Sequence, residues 1–267
     1  MTRIIRTATC TLLYTFTAAV FALLAACSAN DINVTTAPYT IDRAVLAKKP
    51  IKKVVIATAN VSGEPTRYLL QKPATMVDAK VKQYLEAHGY QVAPSYQFDN
   101  AYNQAEKTYG NIYDPTSGRV DPASWRAVMV TTLKALQGTD IDAIVFTDVI
   151  ERDVAHNVGM EHMALWDGVS RKPGYSNASS SLQAGFDWNK SLKAATLVIT
   201  IYTVDLEGVF TGRGGLDTIQ VINAKDNPAT YVRRNNILGN DDNVQEGIEI
   251  AFHPFIKMKN YPSKEEK

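Results

Sequence analysis

Cysteine is scarce in this chain of 267 residues, which contains only Cys10 and Cys27, both close to the N-terminus. Cys10 lies in an apolar stretch that we expect to be removed with a leader covering residues 1–26, so that Cys27 would remain without a partner. A disulfide within the mature chain is then excluded, and the fold must be held together by its hydrophobic core. The remaining 241 residues (267 less 26) are enough for one large domain or two small ones.

Positive charge is not concentrated anywhere in the chain. The formal net charge is +1, and the first 26 residues contribute two arginines and no acidic residue, so the remainder carries −1. Proteins that bind nucleic acid need clustered lysine and arginine, and so does electrostatic docking on anionic lipid head groups. The sequence therefore predicts no nucleic-acid partner and no charge-driven contact with a membrane surface.

Signatures of common catalytic and metal sites are also missing. No Gly-x-Ser-x-Gly nucleophile motif is present, and residues 212–215, although glycine-rich, lack the Lys-Ser/Thr of a phosphate loop and favour a bulge or bend in a strand. His156 and His162 are six positions apart, whereas a zinc-binding helix needs a spacing of four. We therefore predict no catalytic residue, cofactor or metal, and surface positions for both histidines; a loop site formed by His156, Glu161 and His162 is the alternative.

A charged end followed by an apolar run opens the sequence. Arg3 and Arg6 precede residues 11–26, which carry no charged side chain. Because roughly 20 apolar residues are needed for a helix to span a bilayer, this run is short for a membrane span and is typical of a secretory signal peptide. It ends in Leu-Ala-Ala-Cys at residues 24–27, where small residues suit cleavage.

The cysteine after these small residues resembles the lipobox cysteine of bacterial lipoproteins. That resemblance implies that Cys27 carries a diacylglycerol on its thiol and a third acyl chain on its amine, which exceeds the roughly two signals needed for stable anchoring. Ser28 rather than Asp follows, which by resemblance to the enterobacterial sorting rule implies the outer membrane. We predict lipidation at Cys27, with the membrane as a partner through this anchor; an ordinary secretory signal is the alternative.

Strands and helices alternate along the rest of the chain. Runs rich in β-branched residues predict strands at residues 53–59, 90–93, 142–150 and 194–205, with a return strand from Val209. Amphipathic helices are predicted before Gly89 and after Asp121, and a last helix from about Asn243. This order predicts an α/β fold in which a mixed β-sheet packs with helices in a sandwich.

The clearest helix follows Asp121, whose side chain suits an N-cap, with Pro122 at the first helical position. Its apolar stripe has near-complete helical spacing and consists of Trp125, Val128, Met129, Thr132, Leu133 and Leu136. Residues 95–120, by contrast, are polar and aromatic without a clear period. We predict irregular structure there.

We predict a single folded domain over residues 50–259. Residues 27–49, which are polar near their start, are assigned to a tether between the lipid-anchored cysteine and the domain. Residues 260–267 are assigned to a charged tail. Residues 152–193 form a long excursion that separates the two best strands.

Short hydrophobic motifs mark the strands and turns of this layout. They are Lys-Lys-Val-Val-Ile-Ala at residues 52–57, Gly-Tyr-Gln-Val at residues 89–92, Asp-Ile-Asp-Ala-Ile-Val at residues 140–145, and a strand at residues 197–205 that turns at Gly208. With the leader, these motifs resemble those of bacterial envelope lipoproteins built on a TolB N-terminal-like domain. That group includes the curli-secretion lipoproteins and the LpoB-type activators of penicillin-binding proteins.

The resemblance implies a non-enzymatic lipoprotein of the outer membrane, facing the periplasm, that binds or helps assemble or regulate another envelope component. The expected partner is an envelope protein, peptidoglycan-associated partners included, and the role is compatible with an oligomer. Two alternatives remain open. One is a module that binds or hydrolyses peptidoglycan or another polysaccharide, using carboxylates that only the fold brings together; the other is a subunit of a secretion pore.

The excursion over residues 152–193 is the candidate contact surface. Structureless loops beyond roughly 12–15 residues are uncommon in compact domains and are usually functional or disordered. Aromatic side chains with a polar group suit protein interfaces and glycan stacking, and we predict Trp166, Tyr175 and Trp188 as partner-binding anchors. The alternative is that they fasten the loop to the core. A membrane-spanning hairpin, as in the curli-secretion family, is disfavoured because charged residues interrupt the alternating pattern.

Overall fold

The computed structural model describes residues 37–57, 68–110, 112, 120–156, 162–176, 186–226 and 228–262. These residues belong to one compact unit. The predicted leader and the lipidation site Cys27 lie outside them. No helix in the described part of the chain is both long enough and apolar enough to cross a membrane.

Five helices and eleven strands are formed by the described residues. The helices are α1 (Arg43–Lys48), α2 (Tyr68–Ala87), α3 (Tyr96–Tyr109), α4 (Pro122–Leu136) and α5 (Asp241–Phe252). The strands are β1 (Tyr39–Ile41), β2 (Lys53–Ile56), β3 (Gln91–Ala93), β4 (Ala143–Val154), β5 (Ala164–Trp166), β6 (Val169–Arg171), β7 (Tyr175–Ser176), β8 (Leu192–Thr203), β9 (Gly208–Thr218), β10 (Gln220–Asn223) and β11 (Thr230–Arg233). This content confirms the predicted α/β class.

Six strands form the central sheet in the order β1-β9-β8-β4-β2-β3. β2 runs parallel to β3 and β4, whereas β4, β8, β9 and β1 pair antiparallel in succession. The pairing of β4 with β8 extends from Ala143 opposite Thr203 to Val154 opposite Leu192. The sheet is therefore mixed, as predicted, and the long β4–β8 ladder forms its centre.

Helices cover both faces of this sheet. On one face, Val54 and Ile56 of β2 share a buried cluster with side chains of α2 and α5, such as Phe252. The alternate residue Val55 faces the other side, in a cluster with side chains of α3 and α4, such as Leu133. A strand buried on both faces has to be apolar at successive positions, which accounts for the continuous run in the sequence. The predicted sandwich of a mixed sheet and helices is confirmed.

Helix α4 begins where the sequence predicts. The backbone of Asp121 is extended, and its Oδ2 accepts a hydrogen bond from the backbone N–H of Ser124 at 2.8 Å. Pro122 occupies the first turn, where its missing N–H leaves no helical bond unmade. Of the predicted stripe, Trp125 is partly buried and the other members are buried, with Leu133 only 3% exposed.

The prediction of irregular structure over residues 95–120 is wrong for Tyr96–Tyr109, which form helix α3. Its buried side consists of Phe98, Ala101, Tyr102 and Ala105, which pack against α4 and the sheet. These positions do have helical spacing. Because two of them are alanines, the hydrophobic pattern of this segment is weak in the sequence. Packing against α4 stabilises the helix.

Strand β9 runs without interruption through the glycine-rich residues 212–215 and continues to Thr218 instead of opening a helix. Helix α5 lies directly on these glycines. A Cβ on Gly214 would be 1.9 Å from the carbonyl oxygen of Gly247, and a Cβ on Gly247 would be 2.5 Å from the carbonyl oxygen of Gly215. The register against β8 shifts beside Gly215, so the predicted bulge is present. The main reason for these glycines is the close approach of helix and strand.

The folded unit begins before residue 50. β1 pairs with the outer side of β9, so that Tyr39 lies opposite Gly212. Helix α1 follows, and the Oδ1 of Asp42 caps it by accepting from the backbone N–H groups of Ala44 and Val45. These elements lie in the range 27–49 that the sequence assigns to a tether, so the tether ends before Tyr39.

The C-terminal end of the fold also exceeds its predicted limit. Tyr261, assigned to the charged tail, stacks on His253 with 3.8 Å between ring centroids. Its hydroxyl donates to the carbonyl of Ala37 at 3.2 Å. The two ends of the described chain are thus joined, and residues 263–267 of the predicted tail lie outside the described part.

Candidate functional site

The excursion between β4 and β8 is ordered at several places. Strands β5 and β6 form a hairpin whose turn residues, Asp167 and Gly168, have positive φ angles of 39° and 84°. Strand β7 lies parallel to β10 and joins a small sheet of order β11-β10-β7. Because β4 ends at Val154 and β8 begins at Leu192, the excursion comprises residues 155–191, of which 157–161 and 177–185 lie outside the described part.

Trp166 is a core residue, not a surface anchor. It is 6% exposed and packs in a buried cluster with Val169 and Ile250. Its indole Nε1 donates a hydrogen bond to the carbonyl of Ala195 on β8 at 3.3 Å. A Cβ on Gly215 would lie 2.9 Å from this nitrogen. The indole therefore fits against β9 because residue 215 has no side chain. The prediction of Trp166 as an anchor is corrected, and the alternative, fastening the excursion to the core, describes this residue.

Polar contacts fix the β5–β6 hairpin to the rest of the domain. The Oδ2 of Asp167, a buried carboxylate, accepts from the hydroxyl of Thr196 at 2.7 Å. Its backbone carbonyl accepts from the N–H of Gly215 at 2.9 Å. Arg171 forms an ion pair with Glu246 of α5, with 2.6 Å between the charged atoms. Because buried charges need such partners, the hairpin is held in one position on β8, β9 and α5.

Tyr175 presents its side chain to solvent. It is 43% exposed on β7, and its backbone is fixed by pairing with Ile222 of β10. The carbonyl of Gly174 accepts from the N–H of Ile222 at 2.9 Å and extends this pairing. An aromatic side chain on an ordered strand loses little conformational freedom when a partner binds. Tyr175 therefore has the exposure and the fixed backbone that a binding anchor requires.

Five rings meet beside the end of β4 and form the histidine–tryptophan cluster, which consists of His156, His162, Phe186, Trp188 and Tyr231. The imidazole of His162 stacks on Trp188, with 3.6 Å between centroids and 9° between planes. The imidazole of His156 lies 5.5 Å from Trp188 and 5.6 Å from Tyr231. Trp188 is half-buried. The cluster joins the end of β4, the excursion and β11, and part of Trp188 remains at the surface.

His156 is fully buried, so the predicted surface position is wrong for this histidine. Its Nε2 is hydrogen-bonded to the hydroxyl of Tyr231. Burial lowers the pKa of His156; the carbonyl of Lys190 opposes this effect, and the nearby imidazole of His162 adds to it. Burial also raises the pKa of Tyr231 to about 12, and the charge of Asp187 acts in the same direction. Both rings are therefore neutral at pH 7.

A sequence signal for the burial of His156 does exist. Val154 faces the interior at the end of β4, and side chains two positions apart in an extended chain share a side. Carrying that alternation two residues further puts His156 on the buried side. The roles of Phe186 and Tyr231 in the cluster have no comparable local signal, because both depend on segments brought together by the fold.

Three of the scattered carboxylates of the polysaccharide-hydrolase alternative, those of Asp140, Glu151 and Asp153, form ion pairs at the sheet. Asp140 lies 2.5 Å from the ammonium of Lys53, and this hydrogen bond lowers the pKa of Asp140. The ammonium of Lys193 lies 3.3 Å from Glu151 and 2.7 Å from Asp153. A general acid needs a pKa raised toward the working pH, and the shift at Asp140 is in the opposite direction. The ion pairs of Glu151 and Asp153 with Lys193 connect the neighbouring strands β4 and β8.

A cleft of about 390 Å³ lies at the β1 edge of the sheet. Its polar lining includes Thr40, Arg43, Thr200, Tyr202 and Thr211. Asp42 also lines it, but the carboxylate of this residue is engaged in capping α1. Hydroxyl groups and one guanidinium suit hydrogen bonding to a polar or anionic group more than proton transfer.

Comparison with known proteins assigns no role to the residues of this site. No family model, curated protein or solved structure matches the chain. The resemblance to TolB-like envelope lipoproteins therefore stays a prediction that rests on the motifs. Among the described residues, no group of three histidine, cysteine, aspartate or glutamate side chains is arranged to hold a metal ion.

Proposed function

We propose that this chain is a lipid-anchored envelope protein that binds another envelope component without catalysing a reaction. The contact surface is the part of the excursion that carries Tyr175 and Trp188. The observation that supports it is the exposed ring of Tyr175 on a backbone fixed by strand pairing. Tyrosine and tryptophan are the residue types most often found at the energetic centre of protein interfaces, so a protein partner is favoured.

The anchor in this proposal is Cys27, to which the apolar leader and the small residues before it point. The fold begins at Tyr39, and the twelve residue steps between them span at most about 40 Å when fully extended. The domain would therefore work close to the membrane that holds the lipid. Its partner must reach the same zone of the envelope.

Site-specific photo-crosslinking in living cells tests the contact surface. A photoreactive phenylalanine analogue replaces Tyr175 in one strain and Tyr96 in another; Tyr96 is the matched control because it is an exposed tyrosine, on α3. We expect a discrete adduct with an envelope component from position 175 and no such adduct from position 96. The same adducts from both positions, or none from 175, would contradict the proposal.

Replacing Cys27 by alanine tests the anchor. The variant should leave the membrane fraction or accumulate as an unprocessed precursor, because the acyl chains supply the membrane attachment. Membrane fractionation and intact-mass measurement are the readouts. A Ser28→Ala variant, which keeps the cysteine, is the control and should remain anchored. Unchanged membrane association of Cys27→Ala with no difference in lipid mass would refute lipidation.

A further inference from the structure

Three threonines form a row in the cleft at the β1 edge of the central sheet. Thr40 of β1 lies opposite Thr211 of β9, and Thr211 lies opposite Thr200 of β8. Residues directly opposite each other in antiparallel strands have their side chains on the same face, with Cβ atoms about 4.5–5.5 Å apart. All three line the cleft, and none of their hydroxyls is hydrogen-bonded to another described residue. The cleft therefore presents a row of hydroxyl groups that can bind a ligand.

A β-bulge keeps the neighbouring part of the cleft open. The pairing of β8 with β9 shifts register after Ile201 and brings Gly208 opposite Tyr202. Val209 is the extra residue, and it shares with Phe210 the apolar cluster on the side of α2 and α5. Gly208 is left beside the ring of Tyr202, where a Cβ would lie 3.4 Å from Cε1. Bulges redirect side chains and are frequent next to functional sites, and this one leaves the phenol ring uncovered by a side chain at residue 208.

Tyr202 gives the cleft an aromatic wall. Its ring packs edge-on against Phe146, with 6.1 Å between centroids and 84° between planes, so its position is fixed. The residue is half-buried, and its hydroxyl has no hydrogen bond to another described residue. A tyrosine ring offers apolar contact area together with a polar group. Beside a row of hydroxyls, this combination suits a sugar, whose C–H face packs on a ring and whose hydroxyls form hydrogen bonds around it.

Two side chains of opposite charge line the cleft where β1 leads into α1. Arg43 is exposed and forms no ion pair within the described part of the chain. A guanidinium only donates, and it binds a carboxylate or phosphate through two parallel hydrogen bonds. The Oδ1 of Asp42 accepts from the N–H groups of Ala44 and Val45, whereas its second oxygen can accept from a ligand hydroxyl. The cleft thus combines a donor for an anion with an acceptor for a hydroxyl.

We propose that this cleft binds an acidic sugar, that is, a saccharide unit that carries a carboxylate or a phosphate group. Arg43 pairs with the anionic group, Asp42 and the threonine row bind the sugar hydroxyls, and the ring of Tyr202 packs against the C–H face. The cleft volume of about 390 Å³ lies in the range of about 300–1,000 Å³ that is usual for small-molecule sites. The site goes beyond the protein contact proposed at Tyr175 and uses none of its residues.

Titration with small sugars tests the site. The protein is purified from cells in detergent, and ligand-observed NMR measures the affinity for N-acetylmuramic acid, for glucosamine 6-phosphate and for the neutral N-acetylglucosamine. We expect saturable binding of an acidic sugar, about tenfold tighter than binding of the neutral one, because hydrogen bonds to charged groups are the stronger ones. Preference for N-acetylmuramic acid would identify a carboxylate of the peptidoglycan type, and preference for glucosamine 6-phosphate would identify a phosphorylated saccharide.

Single substitutions locate the binding in the cleft. Arg43→Gln should weaken binding of the acidic sugar about tenfold, and Thr200→Val, which keeps the side-chain volume, should weaken it about threefold. The matched controls lie outside the cleft and should bind as the wild type does. They are Arg233→Gln, at an exposed arginine of β11, and Thr131→Val, at an exposed hydroxyl of α4. Circular dichroism verifies that each variant is folded.

Hydrogen–deuterium exchange of the wild-type protein needs no variant. A saturating acidic sugar should slow amide exchange at residues 40–43 and 208–211, which line the cleft, and leave β10 and β11 unchanged. The proposal would be overturned by the absence of saturable binding, by equal affinity for acidic and neutral sugars, or by an affinity unchanged in Arg43→Gln or in Thr200→Val. Tighter binding of inorganic phosphate or of an alanine dipeptide than of either acidic sugar would overturn the assignment to a saccharide.

Discussion

The central sheet and the excursion are held together by different kinds of interaction. Side chains of the sheet and its helices form two large apolar clusters, whose stabilisation depends on buried area and has no preferred direction. The excursion has only smaller apolar clusters, one of them around Trp166, and adds directed contacts, such as those of Asp167 with Thr196 and of Trp166 with the carbonyl of Ala195. A directed contact is costly when one partner is lost and the other stays buried. Changes in side-chain volume should therefore have the largest effect on the free energy of unfolding in the sheet. In the excursion, the loss of a polar partner should have the larger effect.

The largest effect is expected in the apolar layer. Leu133→Ala should reduce the free energy of unfolding by about 2–5 kcal/mol, because truncation of a buried leucine removes contacts and leaves a cavity. Leu133 is 3% exposed between α4 and the sheet. Urea unfolding followed by circular dichroism measures the change. Lys134→Ala, an exposed neighbour on the same helix, should stay within about 0.5 kcal/mol; equal effects of the two variants would show that this face is not core.

Removal of one polar contact sharpens the contrast. Thr196→Val keeps the side-chain volume but takes the hydroxyl from the carboxylate of Asp167, 2.7 Å away. A hydrogen bond to a charged group is worth about 1.5–3 kcal/mol, and we expect a loss of unfolding free energy in this range. Thr131→Val, at an exposed hydroxyl on α4, is the matched control and should be nearly neutral. A Thr196→Val variant as stable as this control would show that polar contacts do not stabilise the excursion more than they stabilise the surface of α4.

A single methyl group tests the contact of helix and strand within the sheet. Gly214→Ala should cost about 1–3 kcal/mol, as overpacking of a tight interior does, because its Cβ would lie 1.9 Å from the carbonyl oxygen of Gly247. Gly138→Ala is the control, since nothing lies within 4 Å of the Cβ position there. Thermal unfolding of both variants measures the difference. A Gly214→Ala variant with unchanged thermal stability would mean that α5 can shift on β9 at no cost. That result would contradict the close contact between this helix and this strand.

The smallest effect concerns pH. Burial lowers the pKa of His156 from the ordinary value of 6.5, so the unfolded chain binds a proton there at a higher pH than the folded chain does. The stability linked to this group is complete above pH 6.5 and is lost as pH falls through the lowered folded pKa. Urea midpoints between pH 7.5 and 5 should decline less in His156→Gln than in the wild type. An unchanged slope in His156→Gln would contradict the burial argument.

Sequence reasoning succeeded where the signal was strong and local. The cap at Asp121 and the stripe around Leu133 specify α4 within fifteen residues, and the β-branched run at residues 53–56 specifies β2. It failed at α3, because a stripe that includes Ala101 and Ala105 carries little apolar signal. Among the predicted anchors, Trp166 and Trp188 have the same side chain but different locations, since Trp166 is buried and Trp188 is half-buried.

By itself, the sequence determined the class of fold and the elements with strong local signals, since helical spacing, alternation and caps act between residues a few positions apart. The leader and the lipidation of Cys27 stay predictions from the sequence. Only the tertiary structure decided which partners the buried aromatic and imidazole rings have. Trp166 donates to a carbonyl 29 residues away, and His156 is bonded to a tyrosine 75 residues away. No local pattern encodes such contacts, because pairing at these positions depends on strands that the chain brings together only on folding.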